Sequence, residues 1–188
     1  PTLVPALPAR FHRLMDGGIL NIGGRAWRCI SGYGHAPEHM ALFCAELTTL
    51  ISGDMVLPRI STNVSVHASE PEANPLQLFL DSLLRYLDLP ENTLVLPSHG
   101  KPFTGLATRI AQLQDHHRER LEEILLAARD HALSAADTLP ILFKRQLDTH
   151  QMTFAMGEAL AHLHYLWMEG KLERFLDPGS VQRFHAAS

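Results

Sequence analysis

The sequence predicts an α+β fold in which strands and loops fill the first half and helices fill the second. Between Arg10 and Thr104, short apolar runs alternate with glycine turns such as Asp16-Gly17-Gly18, a pattern that favours a meander of antiparallel strands. After Gly105, apolar residues recur at the spacing of amphipathic helices. With 188 residues, of which 46% are hydrophobic and 19% charged, the chain can build a packed core.

The expected strands of the first half are short and apolar. They cover residues 19–22, 25–30, 40–44, 47–51 and 93–96. One helix interrupts them, because apolar residues recur at helical spacing between Leu76 and Leu87. Asn74 is its expected N-cap and Pro75 its first helical residue.

The second half begins with a long amphipathic helix, which the apolar stripe predicts over 106–132. Shorter helical pieces are expected near 135–145 and 153–170, followed by an extended tail from Lys171 to Leu176. Three helices followed by an extended tail are typical of a small winged-helix-like unit. We therefore divide the chain into residues 1–133 and 134–188.

Composition excludes several classes of protein. The net charge of -4 disfavours a surface for nucleic acid. Two cysteines are too few for a disulfide scaffold or a cysteine-rich zinc fold, and they fit a cytoplasmic setting. No apolar run approaches the roughly 20 residues that span a bilayer, so we expect no membrane partner. The opening residues resemble the interior of a longer protein, and we interpret the chain as a fragment.

Three short motifs carry side chains that bind metals. They are His35 in Gly-His-Ala-Pro-Glu-His, Asp54 in Ser-Gly-Asp and His99 in Ser-His-Gly, each following an apolar run. Ends of strands hold side chains rigidly, and glycine lets the backbone approach a ligand closely. Imidazole and carboxylate groups suit zinc, manganese or iron. The order of these motifs predicts a metal site where the strand ends meet.

Two other histidine pairs lie on predicted helices. His116 and His117 are adjacent, and His162 and His164 are two residues apart. Helical residues at these spacings point in diverging directions, so a pair cannot face one ion well. We interpret His162 and His164 as packing and surface residues, and His116 and His117 as part of an exposed helical face. Neither pair is expected to bind a metal.

The three motifs in series resemble the second half of the metallo-β-lactamase fold hydrolases, and in particular the glyoxalase II-like and β-lactamase-like protein 2 groups. The resemblance implies the C-terminal half of an αββα sandwich followed by a winged-helix-like appendage. It also implies a site for two metal ions, usually zinc. There His35 would serve the first ion, Asp54 would bridge both ions as the catalytic carboxylate, and His99 would serve the second.

Two further residues have expected places near this site. His39 follows His35 in the family's Gly-His-x-x-x-His pattern, and we expect it to hold His35 or a loop by a hydrogen bond instead of binding metal. Arg59 follows the Asp54 loop and either lines the substrate entrance or is simply a solvated side chain.

The family's leading motif, His-x-His-x-Asp-His, is missing from the sequence. Each ion would keep only two ligands, whereas catalytic zinc sites use three protein ligands and a water. We therefore predict that the chain alone is inactive and holds zinc weakly or not at all. An incomplete sandwich would expose apolar sheet surface, so we also expect a homodimer through that surface.

The leading functional hypothesis is a metal-dependent hydrolase acting on a small-molecule ester or thioester through a metal-activated hydroxide. One alternative is a metal-dependent endoribonuclease, since a related group with the same tail cleaves RNA, although the acidic net charge counts against it. The other alternative is a non-catalytic binding module built on the winged-helix-like tail.

Overall fold

The computed structural model describes residue 6 and residues 8–187. The elements of the first half are β1 (Ile19–Ile22), β2 (Arg25–Gly32), β3 (His39–Cys44), β4 (Thr49–Gly53), α1 (Pro75–Leu84) and β5 (Leu94–Pro97). Those of the second half are α2 (Leu106–Asp130), α3 (Ala135–Leu142), α4 (Thr149–Met168), β6 (Leu172–Leu176) and β7 (Gln182–Ala186). None of the helices in the described part combines the length and apolar character needed to cross a membrane.

The first five strands form one sheet in the order β1-β2-β3-β4-β5. The first four are antiparallel, as the sequence predicts, and β5 runs parallel to β4. Because β4 and β5 are parallel, their carboxyl ends lie side by side, with Gly53 opposite Pro97. The carboxyl end of β2 at Gly32 lies at the same edge, opposite the start of β3 at His39. We call this edge the site edge.

The hydrophobic core lies between one face of the sheet and the helices. Buried apolar residues from the sheet include Ile30, Ala41, Phe43, Leu50 and Val95, and those from α1 and α2 include Leu76, Phe79, Leu83, Ile110 and Leu113. The opposite face of the sheet exposes Ile51 and Leu94 at 38% and 40%. One face of the sheet is therefore packed and the other is partly open.

The start of α1 follows the sequence signals and its end does not. The side chain of Asn74 accepts a hydrogen bond from the Gln77 backbone N–H, and Pro75 is the first helical residue, as predicted. The helix ends at Leu84, three residues before the predicted end at Leu87. The backbone N–H groups of Tyr86 and Leu87 bond three residues back, which tightens the chain into turns.

The second half has the three predicted helices, but its tail is a hairpin and not a single extended piece. β6 pairs with β7 in an antiparallel arrangement, and Leu133 adds two backbone hydrogen bonds to Phe184 of β7. The alternation that buries Phe184 between two polar neighbours is too short to be a clear strand signal in the sequence.

The expectation that His116 and His117 form an exposed helical surface is wrong for His117, which is fully buried. It lies four residues from both Leu113 and Leu121 and so belongs to the buried stripe of α2. Its Nδ1 donates to Nε2 of the equally buried His162 at 3.2 Å. The Nδ1 of His162 in turn donates to the carbonyl oxygen of Glu158 at 2.8 Å.

Candidate metal centre

The topology of the sheet explains why three distant motifs meet at the site edge. Asp54 directly follows β4, and His99 lies two residues beyond β5. The backbone N–H of Ser98 donates to the carbonyl oxygen of Gly53 at 3.0 Å, which extends the parallel pairing toward both side chains. His35 lies in the loop that joins β2 to β3.

Asp54 stands between the two histidines, and each of its carboxylate oxygens faces a different ring. His35 Nε2 lies 3.6 Å from Asp54 Oδ2, and His99 Nε2 lies 3.5 Å from Asp54 Oδ1. The His35 and Asp54 side chains are 28% and 30% exposed, whereas that of His99 is 70% exposed. The cluster is therefore reachable from solvent on the His99 side.

The tautomer of neutral His35 follows from its hydrogen bond. Its Nδ1 lies 2.8 Å from the carbonyl oxygen of Asn63, and because a carbonyl can only accept, Nδ1 carries the proton. Nε2 of the neutral ring therefore presents a lone pair to the carboxylate of Asp54. Two acceptors facing each other repel, so this arrangement favours a cation between them.

His39 contacts the backbone at Asp54 and not its carboxylate. The Asp54 N–H donates to His39 Nε2 at 3.4 Å. Burial lowers the pKa of His39, the neighbouring His35 lowers it further, and Asp54 opposes both effects. With Nε2 engaged, Nδ1 is buried without a hydrogen-bond partner in the described part of the chain. The predicted role of His39 in holding a loop is compatible with this contact and stays a prediction.

Arg59 lies at a cavity of about 600 Å³ beside His99. The other lining residues are Pro58, Ile60, Gly100, Lys101, Pro102 and Phe103. Within residues 8–187, neither Arg59 nor Lys101 forms an ion pair with an acidic side chain. The cavity is therefore lined by two positively charged side chains, those of Arg59 and Lys101, together with apolar side chains.

Sequence reasoning missed two residues that support the cluster. The hydroxyl of Thr62 donates to the carbonyl oxygen of Asp54, and the backbone carbonyl of Asn63 accepts a hydrogen bond from His35 Nδ1. Threonine and asparagine in a loop carry no specific signal for this role. Among the described residues, no group of three or more His, Cys, Asp or Glu side chains is arranged to hold a metal ion.

Comparison with known proteins agrees with this fold. Residues 121–187 match the family model described as the metallo-beta-lactamase-like C-terminal domain. The structure of a beta-lactamase domain protein from Burkholderia ambifaria is 58% identical with a TM-score of 0.96, over 98% of this chain and 55% of that one. A metallo-beta-lactamase family protein from Thermus thermophilus is 35% identical with a TM-score of 0.82, over 96% of this chain and 56% of that one.

A curated relative is the probable metallo-hydrolase YqjP of Bacillus subtilis, which is 26% identical over 162 residues, or 85% of this chain and 50% of the relative. The fold is a mixed sheet covered by helices, with histidine and carboxylate side chains at one edge. By its sequence and its structure, the chain is a metallo-β-lactamase fold protein. It spans about half the length of the relatives it matches.

Proposed function

We propose that this chain contributes one bridging carboxylate and two histidines to the two-zinc centre of a hydrolase that cleaves an ester or thioester. The observation that carries the proposal is the position of Asp54, whose two oxygens face different imidazoles at 3.6 and 3.5 Å. Imidazole nitrogen and carboxylate oxygen are ordinary zinc ligands, so the donor set fits the metal. In this proposal His35 serves one ion, His99 the other, and Asp54 both.

The chemistry divides between the metal and the chain. Bound zinc supplies Lewis acidity, which brings the pKa of water toward neutrality and stabilises negative charge on an acyl oxygen. The chain orients the ligands: Asn63 holds His35, while Thr62 and His39 hold the backbone of Asp54. The carboxylate of Asp54 therefore keeps both oxygens available to the site.

Two ligands for each ion are one fewer than catalytic zinc sites use. We infer that the remaining ligands come from outside this chain, so that the chain alone is inactive and binds zinc weakly. The proposal that it is the C-terminal part of a longer enzyme is supported by relatives that are about twice as long.

A zinc titration of the chelator-treated chain tests the centre. We expect weak uptake that dialysis reverses, and a loss of more than about tenfold in affinity for Asp54→Asn, because both ions lose a ligand. Asp88→Asn, at an exposed position, is the matched control and should bind as the wild type does. Two equivalents of zinc retained after dialysis would contradict the incomplete site, and equal binding by Asp54→Asn would contradict the centre itself.

The cavity beside His99 favours a substrate with an anionic group, because Arg59 and Lys101 line it together with apolar side chains. This supports the predicted place of Arg59 at the substrate entrance. It also supports the second candidate function, a metal-dependent endoribonuclease, since RNA is anionic. The full gene product that contains this chain can be assayed with S-lactoylglutathione and with a fluorescent single-stranded RNA. Turnover of the thioester supports the first candidate function, and cleavage of the RNA supports the second.

For the second half we propose a winged-helix-like unit that begins near residue 134. The pairing of Leu133 with β7 supports it, because this pairing ties the start of α3 to the hairpin that would form the wing. The middle of α4 is buried, with Ala159, Ala161 and Leu163 inaccessible to solvent. This burial disfavours a module that uses α4 alone to bind a partner. Two buried free cysteines support a cytoplasmic setting.

A further inference from the structure

A short stretch of chain, which we call the 62–66 segment, lies between the candidate metal ligands and α4. The Thr62 hydroxyl donates to the carbonyl oxygen of Asp54. The backbone carbonyl of the next residue, Asn63, accepts from His35 Nδ1 at 2.8 Å. The segment therefore touches two of the three candidate ligands, although none of its own groups is one of them.

The middle of α4 meets the segment at Gly157. The backbone N–H of Val66 donates to the carbonyl oxygen of Gly157 at 3.1 Å. A Cβ on Gly157 would lie only 2.7 Å from both the Cβ and the Oγ of Ser65. Glycine weakens a helix when it stands in the interior. Its presence in the middle of α4 is therefore explained by the close approach of the segment and not by the stability of the helix.

The contact at Gly157 is linked to His35 by two residues that are held together. The buried Ser65 donates through its hydroxyl to Asn63 Oδ1 at 2.8 Å. Because the Cβ of Ser65 is attached directly to the backbone, it cannot swing aside as the end of a long side chain could. A side chain at position 157 would therefore push the backbone of the segment, and with it the Asn63 carbonyl that accepts from His35.

We propose that Gly157 is a positioning residue. Its lack of a side chain lets α4 hold the 62–66 segment where the Asn63 carbonyl fixes the tautomer and direction of the His35 ring. The second half of the chain is then part of the framework of the candidate metal centre. The effect on zinc binding rests on the proposed function, whereas the effect on the His35 ring does not.

The experiment combines ¹⁵N NMR of the histidine rings in the metal-free chain with a zinc titration. At about pH 8.5, where free imidazole is neutral, wild-type His35 should show one tautomer, protonated on Nδ1. Gly157→Ala should give a mixture of tautomers, because the displaced carbonyl no longer holds the Nδ1 proton. Its affinity for zinc should be weaker by about tenfold, the lower end of effects seen for groups that orient metal ligands.

A compensating substitution separates positioning from general damage to α4. Ser65→Gly removes both atoms that the new methyl group would meet at 2.7 Å. In a chain that already carries Ser65→Gly, the further change Gly157→Ala should therefore alter neither the tautomer nor the zinc affinity. Thr153→Ala, at an exposed position one helical turn before Gly157, is the matched control and should behave as the wild type does.

His164 provides an internal reference on the same helix. Its Nδ1 donates to the carbonyl oxygen of Ala73 at 3.0 Å, outside the 62–66 segment. Its ring signals should be unchanged in Gly157→Ala, since the displacement is local to the segment. If Gly157→Ala does not fold, Ser65→Thr replaces it, because it adds a methyl group to the same buried contact from the other side.

A single Nδ1-protonated tautomer of His35 in folded Gly157→Ala, or in Ser65→Thr where that variant replaces it, would overturn the proposal. An equal effect of Gly157→Ala with and without Ser65→Gly would also overturn it, as would a change at His164 as large as that at His35. If the wild-type chain takes up no zinc, the proposed function fails while the tautomer still decides the role of Gly157. If zinc binds and the tautomer is insensitive to Gly157, the positioning role fails and the proposed function stands.

Discussion

At the scale of single residues, the two buried histidines between α2 and α4 set a pH dependence of stability. Burial lowers the pKa of His117 to about 3, with smaller contributions from the neighbouring His162 and His116. Burial also lowers the pKa of His162 to about 4, although its hydrogen bond to the Glu158 carbonyl opposes this shift. In the unfolded chain both would titrate near the ordinary value of about 6.5. Below that pH the unfolded chain binds more protons than the folded one, so these two groups reduce stability as pH falls.

The quantity to compare is the loss of unfolding free energy when the pH is lowered from about 7 to about 5.5. His117→Leu should shrink the acid-induced loss by about 1 kcal/mol, because one group no longer takes up a proton on unfolding. Glu158 acts in the opposite direction, because its raised pKa favours the folded chain at lower pH. The pH dependence of wild-type stability therefore combines both effects, and only the difference between wild type and His117→Leu isolates the histidine.

Urea titrations at the two pH values give this difference. His131→Leu, at an exposed position just beyond α2, is the control and should leave the pH dependence unchanged. An equal acid-induced loss in wild type and His117→Leu would show that the buried pair does not govern stability.

Residues differ in how far the sequence can predict them. His35, Asp54 and His99 were predictable because each joins a metal-binding side chain to a glycine turn at the end of an apolar run. Asn63 was not, because its backbone carbonyl meets His35, 28 positions earlier in the chain, only once the chain is folded. His117 did carry a signal, since it lies four residues from a leucine on either side.

At the scale of elements, the end of β4 determines the geometry of the site. Gly53 has φ +54, and a Cβ there would lie 2.3 Å from His39 Nε2. The left-handed backbone turns the chain so that the Asp54 N–H meets His39 while its carboxylate faces the histidine rings. A residue with a side chain at this position would therefore adopt an unfavourable left-handed backbone and would also collide with the His39 ring.

Gly53→Ala and Gly23→Ala separate these two effects. Gly23 has φ +59 with open space around it, so alanine there should cost only the left-handed backbone, about 1 kcal/mol of unfolding free energy. At Gly53 the collision with His39 should raise the loss to about 3 kcal/mol and weaken zinc binding. Urea denaturation and zinc titration of both variants measure this, and equal losses would mean that the His39 ring moves aside without cost.

Element prediction succeeded where local signals were strong and failed where pairing was long-range. The start of α1 is set by Asn74 and Pro75. The first strands of the meander are delimited by local glycine turns, such as the one at Gly23 and Gly24. β7 is held by β6 and by Leu133, which lies about 50 positions earlier in the chain, so its own residues do not predict it.

At the scale of the whole molecule, α2 joins the two halves, since it packs against α1 as well as α3, α4 and β7. The side of the sheet away from α1 and α2 is less well covered. Strand register puts Ile22, Ile51 and Leu94 on this side, where they are 49%, 38% and 40% exposed. Apolar side chains on a shared sheet face favour association, because burying them removes that area from water.

We propose that the isolated chain forms a homodimer through this face, and Leu94→Lys tests it. Light scattering at about 50 µM, a concentration at which weak pairing of exposed sheet surface is detectable, should give a dimer for wild type and a monomer for the variant. The lysine places a charge within the apolar area that the dimer would bury, and burying an unpaired charge costs far more than losing the leucine contact. Leu126→Lys, on the exposed side of α2 at 64%, is the matched control and should remain dimeric. A wild-type monomer at this concentration, or a dimer that survives Leu94→Lys, would rule out pairing through the open face.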